Sequence, residues 1–359
     1  MGGTRGIGRG VAVALAQQGT SVTNVGRHNG AETVALLRTH ARKGAASTPQ
    51  MEFVAADLST VQGVLDLATQ LHLSHGQFDD VVMTINQFPN PLHPRTLDGH
   101  DRSVGIGVVA RFTLLRRLIE TRLLAHGARV LSICASTKTD VPAPSWEIMQ
   151  RILNKELAFD GSIGSFLQSM GTMSLVHDAM IQIMAKKYKG VSIIGMHPGF
   201  VVTDLMQNTI VPAWAIPLVQ VLMRPVSRSE ESIGQIVVEI LASTNIGNVE
   251  QLHALGAGGR KGKYMYFNSL GEGRKSQRRA YNESMHQWLE KEWFDLIYET
   301  MVAGGGKKLA QGSFHVAVVA VTATLELLLP GTCHACLKPR VYRVMNIKGG
   351  NLECGPRRW

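Results

Sequence analysis

Apolar positions along the first two hundred residues follow two alternating rhythms. In "GRGVAVALAQQG" Val11, Ala14 and Leu15 recur at helical spacing, and Gly19 supplies a stop. "TSVTNVGR" is then β-branched and strand-like, "NGAETVALLRTHARKG" is an amphipathic helix, and "MEFVAADLS" is a strand. The alternation continues with helix "TVQGVLDLATQLHL", strand "DDVVMTIN", a long helical stretch "LDGHDRSVGIGVVARFTLLRRLIETRLL" and strand "ARVLSICAS". After an irregular stretch come helix "FLQSMGTMSLVHDAMIQIMAKKY" and strand "GVSIIGMHPG". Strands alternating with helices predict an α/β fold, a doubly wound parallel sheet with helices on both faces.

The rhythm loosens beyond Gly199. Residues 209–226 are apolar and punctuated by proline, and predict a small substrate lobe spanning about 204–230. "RSEESIGQIVVEILAS" begins with a capping-box signature and predicts a helix. "KYMYFNSLGEG" reads as a short strand and turn. "ESMHQWLEKEWFDLIYETM" is an amphipathic helix with Trp288, Leu289 and Trp293 along a buried stripe. "AGGGKK" is linker-like, so residues 1–300 form one domain and 301–359 a C-terminal extension of distinct composition.

Composition narrows the class. The formal charge of +10 invites a nucleic-acid reading, but the excess sits in "KKYKG", "GRKGK", "GRKSQRR" and "GPRRW", with no accompanying nucleic-acid motif. These read as solvated faces, with no nucleic-acid partner. Four cysteines in 359 residues make no disulfide framework, which points to a reducing, cytoplasmic setting. Cys333 and Cys336 have half-site metal spacing, but only His334 and Cys354 lie nearby, so no metal is expected. The longest apolar run, residues 314–331, is interrupted by Glu326 and predicts no membrane span. Met170, Met173, Met180 and Met184 read as core or as a dimer face.

The chemistry begins at the first residues, "MGGTRGIGRG". Gly2 permits a tight turn, while Gly6 and Gly8 let backbone N–H groups and a helix start approach a pyrophosphate. At the end of the next strand a carboxylate would bind an adenosine ribose; here the sequence is "NVGRH", with Arg27 and no Asp or Glu. A guanidinium pairs with a 2′-phosphate, and Arg5 adds a second cation, so NADP(H) is expected over NAD(H). Asp57 and Leu58 flank the adenine in this reading; a plain strand-end cap is the alternative for Asp57.

With "GGTRGIG", "NVGR", "AADLS" and "HPGFVVTDL" in this order, residues 1–300 resemble the short-chain dehydrogenase/reductase superfamily, in a divergent, fungal-type branch. The resemblance implies a Rossmann fold, a nicotinamide cofactor, and interconversion of an alcohol and a carbonyl. It carries Gly2, Gly6, Ile7 and Gly8 onto the glycine motif, Arg27 onto an NADP-type position, and Asp57 and Leu58 onto the adenine pocket. Asn86 falls in a degraded Asn-Asn-Ala-Gly stretch, and Pro198, Gly199 and Thr203 on the nicotinamide-side loop. The family's catalytic Tyr and Lys fall on Gln168 and Thr172, and its Ser falls among Cys134, Ala135 and Ser136, leaving Ser136 as the hydroxyl in reach. Its relay Asn falls near Gly107. His177 and Asp178 lie further along the same helix, with packing or a solvated face the expected role.

The resemblance therefore implies an NADP(H)-dependent oxidoreductase of a small apolar carbonyl or alcohol, and leaves a homodimer open. The degraded acid–base set supports an alternative, a nucleotide-binding sensor or interaction module. The strand that ordinarily precedes the glycine turn is missing. Three explanations stand: a sequence shortened at its N-terminus, reliance on a partner, or the apolar "FHVAVVAVT" of the extension filling the slot.

Overall fold

The computed structural model describes residues 1–42, 48–134, 144–199, 201, 227–243 and 283–300, with short strands at 265–267, 273–274, 347–348 and 351–352. Residues 204–226 of the predicted lobe, Thr203, Ser136 and the segment "FHVAVVAVT" lie outside these residues. Two compact units result, Met1–Lys308 and Leu309–Trp359. In the second, β8 (Ile347–Lys348) and β9 (Asn351–Leu352) form an antiparallel pair.

The first unit is the predicted α/β alternation. Helix α1 (Gly6–Gln17) leads to β1 (Val22–Gly26), α2 (Gly30–His40), β2 (Met51–Ala55), α3 (Val61–Ser74) and β3 (Phe78–Met83). Next, α4 (Arg102–Val104) runs through a π-helical turn, Gly105–Val109, into α5 (Ala110–Glu120). Then come β4 (Leu124–Ile133), α6 (Trp146–Leu153), α7 (Ile163–Lys187), β5 (Ser192–Met196), α8 (Glu230–Ser243), β6 (Met265–Phe267), β7 (Gly273–Arg274) and α9 (Glu283–Trp288). A second π-helical turn, Leu289–Asp295, extends α9, and the chain stays helical to residue 300. Side chains fix several starts: Thr60 caps α3, Ser162 caps α7, and Asp101 accepts from the N–H groups of Ser103 and Val104.

Two boundaries differ from the sequence pattern. The helix read across residues 97–124 starts only at Arg102, because Asp101 caps it, and Leu124 already belongs to β4. Residues 146–153, read as irregular, form α6, started by the Ser145 hydroxyl accepting from Ile148 N.

Strands β3, β4, β5 and β6 pair in parallel in that order, with β7 antiparallel at the edge. Strands β1 and β2 form a separate parallel pair. Met1–Gly3 join the two sheets at one end. The N–H groups of Gly2 and Gly3 donate to Val25 O at 2.9 and 3.3 Å on β1. On the other side Thr84 N donates to Met1 O at 3.0 Å, and the Met1 amine donates to Val82 O at 2.6 Å.

The core lies between the sheet and α3, α5 and α7. Met170, Met173, Met180 and Met184 are all buried within the chain, so they are core. The helix after α9 covers α5 and α7: Phe294 stacks on Phe112 at 4.2 Å, and the Arg116 guanidinium lies 3.8 Å from the Tyr298 ring centre. Trp293 donates its indole N–H to Leu153 O at 3.1 Å. Among the described residues no helix is long and apolar enough to cross a membrane.

Candidate functional site

The glycine turn is forced by close approach. Gly2 and Gly6 hold positive φ angles of +76° and +55°, which an L side chain resists. A Cβ on Gly8 would stand 2.2 Å from Gly2 O and 2.6 Å from Thr84 Oγ1, so only glycine lets α1 start against the turn. Arg5, at the N-cap, is extended and provides no side-chain cap, which leaves the first N–H groups of α1 without a partner from the capping side chain. Ile7 packs beneath them against the cluster that holds Val11 and Leu131. A Cβ on Gly2 would touch Ile85 Cγ2 at 3.0 Å, so the turn sits directly on the segment leaving β3. In open parallel sheets this carboxyl edge is where ligands bind. What the turn offers a pyrophosphate is the N–H donors at a helix start, brought close by glycines packed against the turn's own backbone.

Beside it, Arg27 follows the last residue of β1 and is exposed, as is Arg5. Asp57 follows β2 closely and accepts from Ser59 N at 3.0 Å. Desolvation opposes its ionisation, but the Ser59 hydrogen bonds and the charges of Arg27 and Arg102 hold it below the ordinary carboxylate range. Arg102, at the start of α4, was not singled out by the sequence. It comes to this corner because the Asp98 carboxylate accepts from Val61 N at 2.9 Å, tying the preceding loop to the start of α3. The Arg102 Nε atom is buried without a hydrogen-bond partner. Leu58 is buried beneath the corner.

Asn86 turns its Oδ1 to Gln87 N at 2.9 Å, and a Cβ on Gly107 would lie 3.1 Å from that oxygen. Pro198 is buried and Gly199 has φ +69°, closing the loop after β5. Gln168 is half-buried on α7. Thr172 is wholly buried, and its hydroxyl has no partner. Cys134, just past β4, is buried.

Sequence reasoning passed over a polar cluster under this edge. Arg111 on α5, Ser132 on β4 and His177 on α7 are all buried and mutually bonded: Arg111 Nη1 donates to Ser132 Oγ at 2.8 Å, which lies 2.8 Å from His177 Nε2. His177 therefore points into the core rather than to a solvated face. Burial, then the Arg111 charge, hold its pKa well below the ordinary imidazole value. Asp178, whose Oδ1 is 3.9 Å from His177 Nδ1, is pushed up by burial to about 7. Among the described residues no group of His, Cys, Asp and Glu is arranged to hold a metal.

No protein-family model and no curated protein matches the sequence. Solved structures do match. A short-chain dehydrogenase/reductase from Serratia marcescens is 18% identical, with TM-score 0.52 over 76% of this chain and 95% of that one. A short-chain dehydrogenase/reductase of unknown function from Caenorhabditis elegans, solved with cofactor, gives 16% and 0.54 over 75% and 92%. A short-chain type dehydrogenase/reductase from Mycobacterium ulcerans gives 17% and 0.50 over 82% and 95%. Similarity at this level of identity speaks to architecture, and on that it agrees with the strand order and the glycine turn: the chain has the Rossmann fold of the short-chain dehydrogenases/reductases.

Proposed function

We propose that the protein binds a nicotinamide dinucleotide, NADP(H) in preference to NAD(H), and acts as an oxidoreductase on an apolar carbonyl or alcohol. The observation that carries this reading is the Gly2–Gly8 contact, which sets the start of α1 against the sheet's carboxyl edge beside Arg27 and Arg102. Gly2, Gly6, Ile7 and Gly8 form the pyrophosphate cradle. Arg27, Arg102 and Arg5 take the 2′-phosphate: two of them already share Asp57, and the remaining positive charge suits a dianion. Asp57 and Leu58 border the adenine, and Asn86, Pro198, Gly199 and Thr203 the nicotinamide end. When bound, the dinucleotide supplies or accepts the hydride. The chain's own task is then alignment of donor and acceptor carbons and exclusion of water.

Proton transfer is poorly provided for. Gln168 has no titratable group, and Thr172 is sealed in the core with its hydroxyl unpartnered. Ser136 is the remaining hydroxyl for the substrate oxygen, with water carrying the proton at reduced rate. This supports a second reading, a dinucleotide-binding sensor without turnover. Titration with NADPH and NADH, followed by a screen of apolar aldehydes and ketones, separates the possibilities. NADPH-favoured binding with slow reduction supports the enzyme, and binding without turnover supports the sensor. Equal or NADH-favoured binding refutes the cofactor preference, and no binding refutes both readings.

A further inference from the structure

The face of α5 turned to the sheet carries one charge. Arg111 is wholly buried; its Nε donates to Ile85 O at 3.0 Å, and its Nη2 donates to the same carbonyl. Its Nη1 donates to Ser132 Oγ and lies 3.3 Å from His177 Nε2. An arginine only donates, so that imidazole nitrogen carries the lone pair, and Ser132 spends its own hydrogen there. The imidazole proton then sits on Nδ1, which has no hydrogen-bond partner. Every hydrogen-bond partner of Arg111 is thus neutral, and no ion pair joins it to a carboxylate among the described residues. Apart from the electrostatic contribution of the neighbouring Cys134 sulfur, this dry guanidinium is held by neutral groups, which is costly.

The charge is also well placed. It grips the carbonyl of Ile85, the residue packed on the glycine turn, and Ser132, the penultimate residue of β4. Arg111 therefore lies just under the carboxyl edge of β3 and β4, next to Asn86. Building on the dinucleotide reading above, we propose that Arg111 is the fixed positive charge of the site, selecting the reduced, uncharged nicotinamide over the oxidised, cationic one. The two forms share every phosphate and both riboses, so a cation beneath the ring discriminates by charge alone. A site so biased takes up NADPH from a mixed pool and releases NADP⁺, whether it turns substrate over or only reads the pool.

The test is equilibrium titration of the full chain with NADPH, NADP⁺ and 2′-phospho-ADP-ribose, which lacks the nicotinamide. Wild type should bind NADPH of order tenfold more tightly than NADP⁺, the scale of two like charges one side-chain layer apart in a protein interior. Arg111→Met should bring the ratio to within about twofold of unity while leaving 2′-phospho-ADP-ribose affinity unchanged, and Arg111→Lys should retain it. A merely structural role would weaken all three ligands together and leave the ratio alone, which would overturn the proposal. Should Arg111→Met fail to fold, wild type still decides: equal affinity for NADPH and NADP⁺ overturns it. If NADPH and 2′-phospho-ADP-ribose bind but the redox forms are not distinguished, only the role of Arg111 falls. If nothing binds, the dinucleotide reading falls and this proposal with it.

Discussion

Gly8→Ala and Gly10→Ala form a matched pair that separates folding from binding. Both residues lie on α1, and both meet a backbone carbonyl at impossible range once a Cβ is added. At Gly8 the new atom stands 2.2 Å from Gly2 O, and at Gly10 it stands 2.1 Å from Glu230 O. Ordinary contact begins near about 3.4 Å, so either methyl must push a backbone segment by roughly an ångström, an overpacking cost of about 1–3 kcal/mol. The better helix propensity of alanine returns at most about 1 kcal/mol. Both variants should therefore lose up to roughly 3 kcal/mol, read as a lower urea midpoint at unchanged slope. Their effects on ligand should diverge. Gly10 faces α8, where Gly234 would reciprocally meet Gly10 O at 2.3 Å, so its shift spreads α1 from α8 behind the turn. Gly8 faces the turn itself, so its shift displaces Gly2 and the N–H groups proposed to hold the pyrophosphate. NADPH affinity should fall at least tenfold in Gly8→Ala, about 1.4 kcal/mol, and change little in Gly10→Ala. If Gly8→Ala binds NADPH like wild type, or Gly10→Ala loses as much affinity, the pyrophosphate does not sit at this turn.

Three further outcomes are expected. Arg27→Glu should weaken NADPH by more than tenfold, about 1.4 kcal/mol, while leaving NADH nearly unchanged; parallel losses would show that Arg27 does not read the phosphate. Trp293→Ala should cost about 3–5 kcal/mol in denaturant unfolding, because the ring is 97% covered and its N–H satisfies Leu153 O; a loss below 1 kcal/mol would mean the helix after α9 is not packed as described. His100 is buried with both ring nitrogens unpartnered, and burial, then Lys155, push its pKa down to about 4. The unfolded chain protonates it near its ordinary value of about 6.5, so stability should be lost as pH falls from there toward 4, by up to about 3 kcal/mol. His100→Phe should flatten that acid limb, and an unchanged limb would assign it to other groups.

What could be read from the amino-acid order, and what could not, follows from which interactions are local. The glycine turn was legible because backbone approach demands glycine whatever surrounds it. The strand–helix alternation was legible because each element has one apolar period. The splice at Met1–Gly3 was not, since it depends on the Val82 carbonyl of β3 and the Thr84 N–H, some eighty residues away, as well as on Val25. Arg102 was missed for the same reason: its loop is brought to Asp57 by a hydrogen bond between Asp98 and Val61, thirty-seven positions apart.

Arg111 shows the limit most clearly. In "ARFTLLRRL" a helical wheel of regular pitch sets Arg111 on one face with Leu114, Leu115 and Leu118, but no neighbour in sequence shows what would hold a charge there. The π-helical turn at Gly105–Val109 leads directly into this segment, and Arg111 is buried with Leu114, Leu115 and Leu118 on the same face. Gly105 and Gly107 permit that turn to pack: a Cβ on Gly105 would reach Thr96 Cγ2 at 2.6 Å, and one on Gly107 would reach Met173 Sδ at 2.7 Å. Gly107 thus removes a side chain that would crowd Asn86 and α7. The position where the resemblance placed a relay asparagine holds no polar side chain. The charge has moved one helical turn onward, beneath Ile85, where it acts as a fixed field instead of a proton carrier. Restoring a side chain at Gly107 should therefore not restore proton relay; Gly107→Asn should instead crowd Met173 and shift α5, lowering the urea midpoint without raising carbonyl turnover. A gain in turnover would show that the pocket still keeps the geometry for a relay.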